Sequence, residues 1–353
     1  MVAVPWQMAV AVGVQSAQGV VNATIRDLTG ALNAATHGLV LGDPESGLGE
    51  SGIEVEFARA LTEKARLANF TTQPSNFLRQ QIETLTIAWQ LKGNGNVLSG
   101  APADTEFALD PGIDALLQGL SLASANWGGG VGKIYTPAPL VYLTVALWIG
   151  NRTADGFALK WVFQDCIAAG EMEFTPAGLG VATADLAVGS VVPSFGGIEV
   201  ASPTFDYQEQ ASQSAPVVQG VAHAWGATRG FRSMTIGFEN DIDDLEDSNA
   251  PTGLTPRITG RRITASGEMY ADSVDLDFEA TELVRATAPT SPLSFTVGTA
   301  GVPAGRALAY RPRLTTPELR SLGPQRAGDV LSWETELMAV SGIANGEFEL
   351  IFL

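Results

Sequence analysis

Apolar side chains recur at every second residue through much of this chain, and that period constrains its fold more than any other feature. Leu85, Ile87, Trp89 and Leu91 alternate with Thr86, Ala88 and Gln90. Phe157, Leu159, Trp161 and Phe163 repeat the pattern, as do Leu331, Trp333, Thr335 and Leu337 and the terminal Phe348, Leu350 and Phe352. A period of two places one side chain set on each face of an extended strand, so these segments are expected to be half-buried strands. In "RRITASGEMYADSVDLDFEA" the small and apolar set runs from Ile263 to Ala271, then changes phase at Val274, which predicts a bulge or tight turn near Asp272–Ser273. One helix is marked: Asp110 as N-cap, Pro111 at the first helical position, and Ile113, Leu116, Leu117 and Leu120 on one face. A second, near Glu63–Arg66, competes with a strand reading of "GIEVEFA". The expected class is mainly β with minor α, and 39 glycines and 19 prolines suit a turn-rich β protein.

At 353 residues the chain exceeds what one core usually serves, so two domains are expected. An internal repeat supports that division. Ile53, Val55 and Phe57 fall on Met234, Ile236 and Phe238 at an offset of 181, and Pro74 and Arg79 fall on Pro256 and Arg261 at 182. Phe107 falls on Phe278 at 171, Thr144–Val145 on Thr296–Val297 at 152, Gly156 to Leu159 on Gly305 to Leu308 at 149, and "ADLAV" from Ala184 matches "TELMAV" from Thr335. The order is kept, and the offset shrinks across residues 110–135, as if a second copy had lost most of the helix and its glycine-rich follow-on. A second "GIEV" at 197–200, offset by 145, fits none of these. The expected organisation is an N-terminal arm over 1–44, a first β domain over 45–190, a connector over 191–214 and a second β domain over 215–353.

Chemistry is harder to find. "FENDIDDLEDSNA" gathers Asp241, Asp243, Asp244, Glu246 and Asp247. Read as an EF-hand from Asp241, it has Leu245 at the fifth position and Glu246 where glycine must make the turn. A divalent cation on Asp241, Asp243 and Asp244 would lack any fixed geometry. "WGGGVGK" is no phosphate loop, since Trp127 replaces the first glycine and Ile134 the magnesium-binding hydroxyl. Two histidines, His37 and His223, make a histidine metal site or catalytic triad untenable, and the one cysteine, Cys166, lies in an apolar run as a buried thiol. A glycosidase carboxylate pair would need an aromatic-lined cleft, and none is identifiable. No catalytic constellation and no cofactor motif results, so an enzyme is not expected. The opening segment has no positive flank before Arg26 and reads poorly as a signal peptide; "LVYLTVALWIG" is about half a membrane span.

Charge is more informative. The formal net charge is −18, which repels nucleic acid and anionic membrane. Only Lys64, Lys92, Lys133 and Lys160 are lysines, and after residue 200 there are eleven arginines and no lysine. Arginine suits interfaces, because its weakly hydrated fork pairs carboxylates bidentately; GC-rich codon usage would give the same bias.

The ordered set "FRSMTIGFENDID", "PRITGRRITASGEMYAD", "PLSFTVG" and "LSWETELMAV", preceded by "VGVQSAQGVVNATIRDL", resembles the tail tube proteins of long, non-contractile bacteriophage tails. The resemblance runs in order over most of the chain. It implies a domain of two packed antiparallel sheets with one flanking helix, six domains to a ring, and rings stacked into a virion tail tube through which DNA passes without binding. Assembly would occur in the bacterial host cytoplasm, away from membrane, with tape measure, terminator and distal tail proteins as further partners. This chain is about twice the simplest family length. A duplicated domain would give a trimer with pseudo-six-fold symmetry; a single tube domain with a decorating module would give a hexamer. Under this reading Asp275, Asp277 and Glu279, on one strand face, are candidate lumen residues. The acidic segment Asp241, Asp243, Asp244, Glu246 and Asp247 becomes an extended hairpin loop on a ring face, either meeting arginines of the next ring, with Arg257, Arg261, Arg262, Arg311 and Arg313 as candidates, or bordering the lumen. Two rivals stand beside it: another structural virion or surface β-protein, and a carbohydrate-binding β-sandwich.

Overall fold

In the computed structural model the described residues are 7–28, 31–33, 39–42, 52–63, 76–91, 111–127, 132–150, 158–174, 180–199, 204–206, 218–222, 228–229, 231–246, 254–270, 292–297, 310–327, 330–340 and 346–352. The protein is mainly β. Its described helices are α1 (Ala23–Arg26) and α2 (Pro111–Gly119). The first strands are β1 (Gln7–Val14), β2 (Ala31–Asn33), β3 (Leu39–Gly42), β4 (Gly52–Glu63), β5 (Asn76–Gln90), β6 (Leu122–Trp127), β7 (Gly132–Pro137), β8 (Leu143–Gly150), β9 (Ala158–Phe174), β10 (Val181–Ala187) and β11 (Ser190–Glu199). They are followed by β12 (Thr204–Asp206), β13 (Val218–Ala222), β14 (Thr228–Arg229), β15 (Phe231–Glu246), β16 (Leu254–Tyr270), β17 (Leu293–Val297), β18 (Tyr310–Leu314), β19 (Pro317–Ala327), β20 (Val330–Ala339) and β21 (Phe348–Phe352).

Eight strands form one long antiparallel path, β4-β5-β10-β9-β15-β16-β20-β19. A branch, β3-β1-β8-β9-β11, leaves it through the first half of β9. A separate seven-stranded sheet runs β14-β13-β17-β18-β21-β7-β6, and β2 pairs β12 in parallel. The strand β9 changes partners midway. Ala158 to Cys166 bond β8, while Ile167 to Phe174 bond β10 and β15. Asp165 makes the change in the left-handed region, φ 55°, which an aspartate tolerates better than most residues. Its Oδ1 accepts the Gly19 N–H at 2.7 Å, and burial pushes its carboxyl pKa up. In the second half the same change falls between β18 and β19, at Thr315–Thr316.

The two halves of the chain give their strands in one order. The first reads β4-β5-β10-β9 in the long sheet and β3-β1-β8-β9-β11 in the branch. The second reads β15-β16-β20-β19 and β14-β13-β17-β18-β21. Registers agree as well: Ile53, Ile87, Ala184 and Gly170 lie abreast, as do Met234, Gly267, Thr335 and Leu322. That matches Ile53 with Met234 and Ala184 with Thr335, as in the sequence repeat. The proline match slips: Pro256 faces Asp244 as Asn76 faces Glu63, two residues from Pro74, which lies outside the described residues. The β4–β5 pairing shifts register after Glu56, and the β15–β16 pairing after Phe231 and again after Asp241.

Residues 1–44, expected as an arm, contain β1, an interior strand between β3 and β8 with Val10 and Ala11 fully buried. The expected connector contains β11, bonded to β9. Of the second candidate helix, Glu63 ends β4, so the strand reading holds there; the phase change near Asp272–Ser273 lies outside the described residues.

One core fills the space between the long sheet and the others, drawing on both halves: Leu85, Ile87, Met172 and Phe174 with Ile236, Phe238, Leu337 and Phe348. Edge-to-face pairs cross it, Phe174 with Phe295 at 4.9 Å and Phe238 with Phe348 at 5.1 Å. Helix α2 starts at the anticipated Pro111 and buries Ile113, Leu116 and Leu117 in the same core. Where β8 and β9 cross the branch, strict alternation fails, because α1 covers the outer face and buries Val162 with Trp148, Ile25 and Leu28. Lys160 is buried there, donating to the Leu28 carbonyl at 2.6 Å with its ammonium over the Trp148 ring.

Gly170 lies mid-sheet between β10 and β15, and a Cβ there would run into the Thr183 carbonyl oxygen. Backbone cannot yield as a side-chain tip can. Gly170→Ala is expected to cost about 3 kcal/mol or more by chemical denaturation, whereas Gly237→Ala, which meets only the Thr264 hydroxyl, is expected to cost about 1 kcal/mol.

Candidate functional site

The long sheet has one face in the core and one open. Each strand alternates, so the polar half of the pattern falls on the open face. Strand β9 presents Glu171 and Glu173 between the buried Met172 and Phe174. Strand β10 adds Asp185, β15 Glu239, β16 Glu268, β20 Glu334 and Glu336, and β19 Glu318. Three arginines share this face: Arg232, Arg262 and Arg320. Eight carboxylates less three guanidinium groups leave a formal excess of five negative charges among the described residues.

Each of the three arginines pairs within the face. Arg232 meets Glu268 at 3.2 Å, Arg262 meets Glu239 at 3.5 Å and Arg320 meets Glu318 at 3.3 Å. Such wet pairs contribute well under about 1 kcal/mol each. Hydroxyls hold further carboxylates. Thr86 donates to Asp185 at 2.7 Å and Ser321 to Glu336 at 3.2 Å. Glu268 and Glu334 stand directly opposite across β16 and β20, an arrangement of like charge that the Ser332 hydroxyl, 2.5 Å from Glu268, and Arg232 offset.

The acidic segment is placed differently from the expected loop. β15 remains a strand through Glu246, paired residue by residue with β16. Asp241 faces Gly260, Asp243 faces Arg257, Asp244 faces Pro256 and Glu246 faces Leu254. Thr259, at the bulge, donates to the Asp241 carbonyl and to the Asp243 carboxylate. Cross-strand partners make a ribbon of what composition alone suggests is loop. The β4–β5 hairpin continues likewise past its own bulge. Because the eight strands alternate in direction, β4 and β15 run the same way and both hairpins leave the sheet at one end. Asp247 and the candidate lumen residues Asp275, Asp277 and Glu279 lie outside the described residues.

Several candidate interface arginines have partners in their own chain. Arg261 donates to Glu347 at 2.6 Å and to the Ala138 carbonyl at 2.9 Å, clamping the long sheet to the seven-stranded one beside the β7–β21 pairing. Arg313 pairs Glu349 at 2.7 Å, and Arg262 pairs Glu239. Arg257 lies opposite Asp243, and Arg311 lies in β18 opposite Ile351.

Glu171, Glu173, Glu334 and Glu336 were not singled out from sequence. Their signal is the other half of the alternation, "EMEF" and "WETEL", where attention to the apolar positions hides the acidic ones.

Other features offer less chemistry. A groove of about 360 Å³ lies between β1, α1 and α2, lined in part by Asn22, Asp114 and Gln118. Asp114 accepts from Tyr135, from Lys133 at 3.1 Å and from Gln118 at 2.8 Å. Burial pushes the Tyr135 hydroxyl and Cys166 thiol pKa values up, away from nucleophilic use. Among the described residues no cluster of three or more His, Cys, Asp or Glu could hold a metal, and no helix is long and apolar enough to cross a membrane. In comparisons with known proteins, the chain matches no family model and no curated protein sequence.

Proposed function

We propose that this chain is a self-assembling structural protein of the phage tail-tube type, with two copies of one β domain in tandem, three chains to a ring, and rings stacked into a conduit for DNA. The observation that carries this reading is the acidic open face of a single sheet whose two four-strand sets have the same order and are joined edge to edge at β9 and β15. The units are then residues 7–199 and 218–352, since β1 and β11 of the first correspond to β13 and β21 of the second.

A ring of such sheets makes a barrel whose wall is the open face. Three times eight strands, at roughly 4.8 Å each, give a circumference near 115 Å and a backbone diameter of about 37 Å before strand tilt widens it. Side chains reaching about 5 Å inward leave space for a duplex about 20 Å across. Three chains at −18 put a formal −54 on each ring. Glutamates on the wall keep phosphates from settling within a Debye length of roughly 8–10 Å, so DNA slides rather than binds. The two hairpins at one end of the sheet are placed to meet the next ring, with Asp243 and Asp244 in the second of them. In this reading the protein belongs to the virion tail, is assembled in the host cytoplasm and meets other tail proteins only at the tube ends.

Negative-stain micrographs of the purified chain test this. The expected end-on view is a hollow ring with three-fold symmetry and six lobes, stacking into tubes that Asp243→Lys with Asp244→Lys shortens. Six chains per ring would keep the conduit and remove the duplication. Compact monomers at every concentration would reject the reading.

A further inference from the structure

Among the described residues, β4 bonds only β5 and β19 bonds only β20. These are long edges, twelve and eleven residues. Unpaired edges of that length normally invite another strand. The chain already contains the joint such edges could make. β4 occupies the place of β15 in its four-strand set, and β19 the place of the second half of β9. β9 and β15 pair antiparallel, and the first and eighth strands of an alternating sheet run oppositely, so β19 meets a neighbouring β4 in the same sense.

We infer that β19 of one copy pairs with β4 of a second copy in the register of the internal β9–β15 joint. That joint sets Gly170 against Phe238, Met172 against Ile236 and Glu173 against Thr235. Carried over through the aligned registers, Leu322 lies against Phe57, Pro324 against Val55 and Gln325 against Glu54. The inference deepens the ring reading and rests on it only for the number of copies.

The edge chemistry selects this partner over a two-fold alternative. β19 carries Pro317, Pro324 and a bulge beside Arg320, each a break in a ladder. Pairing two β19 edges would bring both sets of breaks into one ladder. The β4 segment "GIEVEFARALTE" contains no proline, so a β19–β4 ladder carries one set only. A β4–β4 ladder would carry no break but would leave both β19 edges uncovered; only the contact of unlike edges covers both ends of the long sheet, and it continues from copy to copy until the rotation closes a ring.

Cys166, the one cysteine, is fully buried, so introduced thiols report without background. Directly opposed residues bring Cβ atoms to about 4.5–5.5 Å, close enough for a disulfide after slight adjustment. The full-length double variant Glu54→Cys with Gln325→Cys, mildly oxidised, is expected to link more than half of its chains into a reducible series ending at three. Each single variant should link none, and Glu54→Cys with Ser321→Cys less than a tenth. Hydrogen exchange of the wild-type chain gives a second reading that needs no substitution: β4 and β19 amides should slow at least tenfold on assembly. Rings that form without linkage and without protection would overturn the edge pairing and leave the tube reading standing. Equal linkage off register would overturn the register. A chain that stays monomeric, unlinked and unprotected would overturn both.

Discussion

On the conduit reading proposed above, reversing four charges of the open face should give a protein that holds DNA where the wild type does not. The variant Glu171→Lys, Glu173→Lys, Glu334→Lys and Glu336→Lys changes each chain by eight units, from −18 to −10. More important than the total is the place. All four positions are exposed on the open face of the long sheet, two in each four-strand set, so a three-chain ring would carry twelve lysines around one channel. The wild-type assembly is expected to retain no linear duplex in a gel-shift assay. The variant should retain it at low salt and release it as salt rises. Each phosphate neutralised contributes a slope near −0.9 in log affinity against log salt, so four contacts lose about a hundredfold between 50 and 200 mM. The fold should survive, since exposed strand positions usually tolerate substitution within about 0.5 kcal/mol; at Glu336 the substitution also removes the acceptor of the Ser321 hydroxyl. Replacing the same residues with glutamine separates lost repulsion from gained attraction, because it removes the charge without supplying a partner. Absence of retention by the lysine variant at the lowest salt would mean that this face does not border the path of DNA.

Strands were legible in this sequence; their arrangement was only partly so. Leu85, Ile87 and Trp89 announced a strand by their period and are buried on one face as expected. The matches of Ile53 with Met234 and Ala184 with Thr335 fall where the sheet registers put them, because the apolar half of each strand fills a similar space in each half of the chain. No local pattern reveals that β9 serves two sheets, since the turn at Asp165 is a backbone event held by the distant Gly19. Ladders between β9 and β15, or β7 and β21, join residues far apart in sequence, and period alone does not choose partners. The acidic ribbon misleads for a related reason: carboxylates at Asp241, Asp243 and Asp244 suggest a solvated loop until Arg257 and Thr259 are seen across from them. The open face was written in the polar half of the alternation all along. Its acidity emerges only when six separate strands are laid side by side.

Removing the ring of Phe238 is expected to be the most damaging single truncation in the second half of the chain. Phe238 is 1% exposed, lies on β15 and meets Phe348 of β21 edge to face, 5.1 Å between centroids at 83°. The contact ties the long sheet to the seven-stranded one. Phe238→Ala deletes the buried ring and leaves a void that strands bonded on both sides cannot close, at a cost of about 3–5 kcal/mol. Phe238→Leu keeps most of the volume and should cost about 1.5 kcal/mol. Against the 5–15 kcal/mol typical of folded chains, about 4 kcal/mol leaves the alanine variant near the edge of stability. The same experiment reports on cooperativity. Phe174, in the first half, makes the corresponding bridge to Phe295, and one core cluster contains all four rings. With β9–β15 and β7–β21 bonding the halves together, Phe174→Ala and Phe238→Ala should each move a single unfolding transition. Two transitions, with Phe238→Ala lowering only one, would mean that the halves melt separately and that the shared sheet couples them weakly. A shift below about 1 kcal/mol for Phe238→Ala would contradict the packing itself.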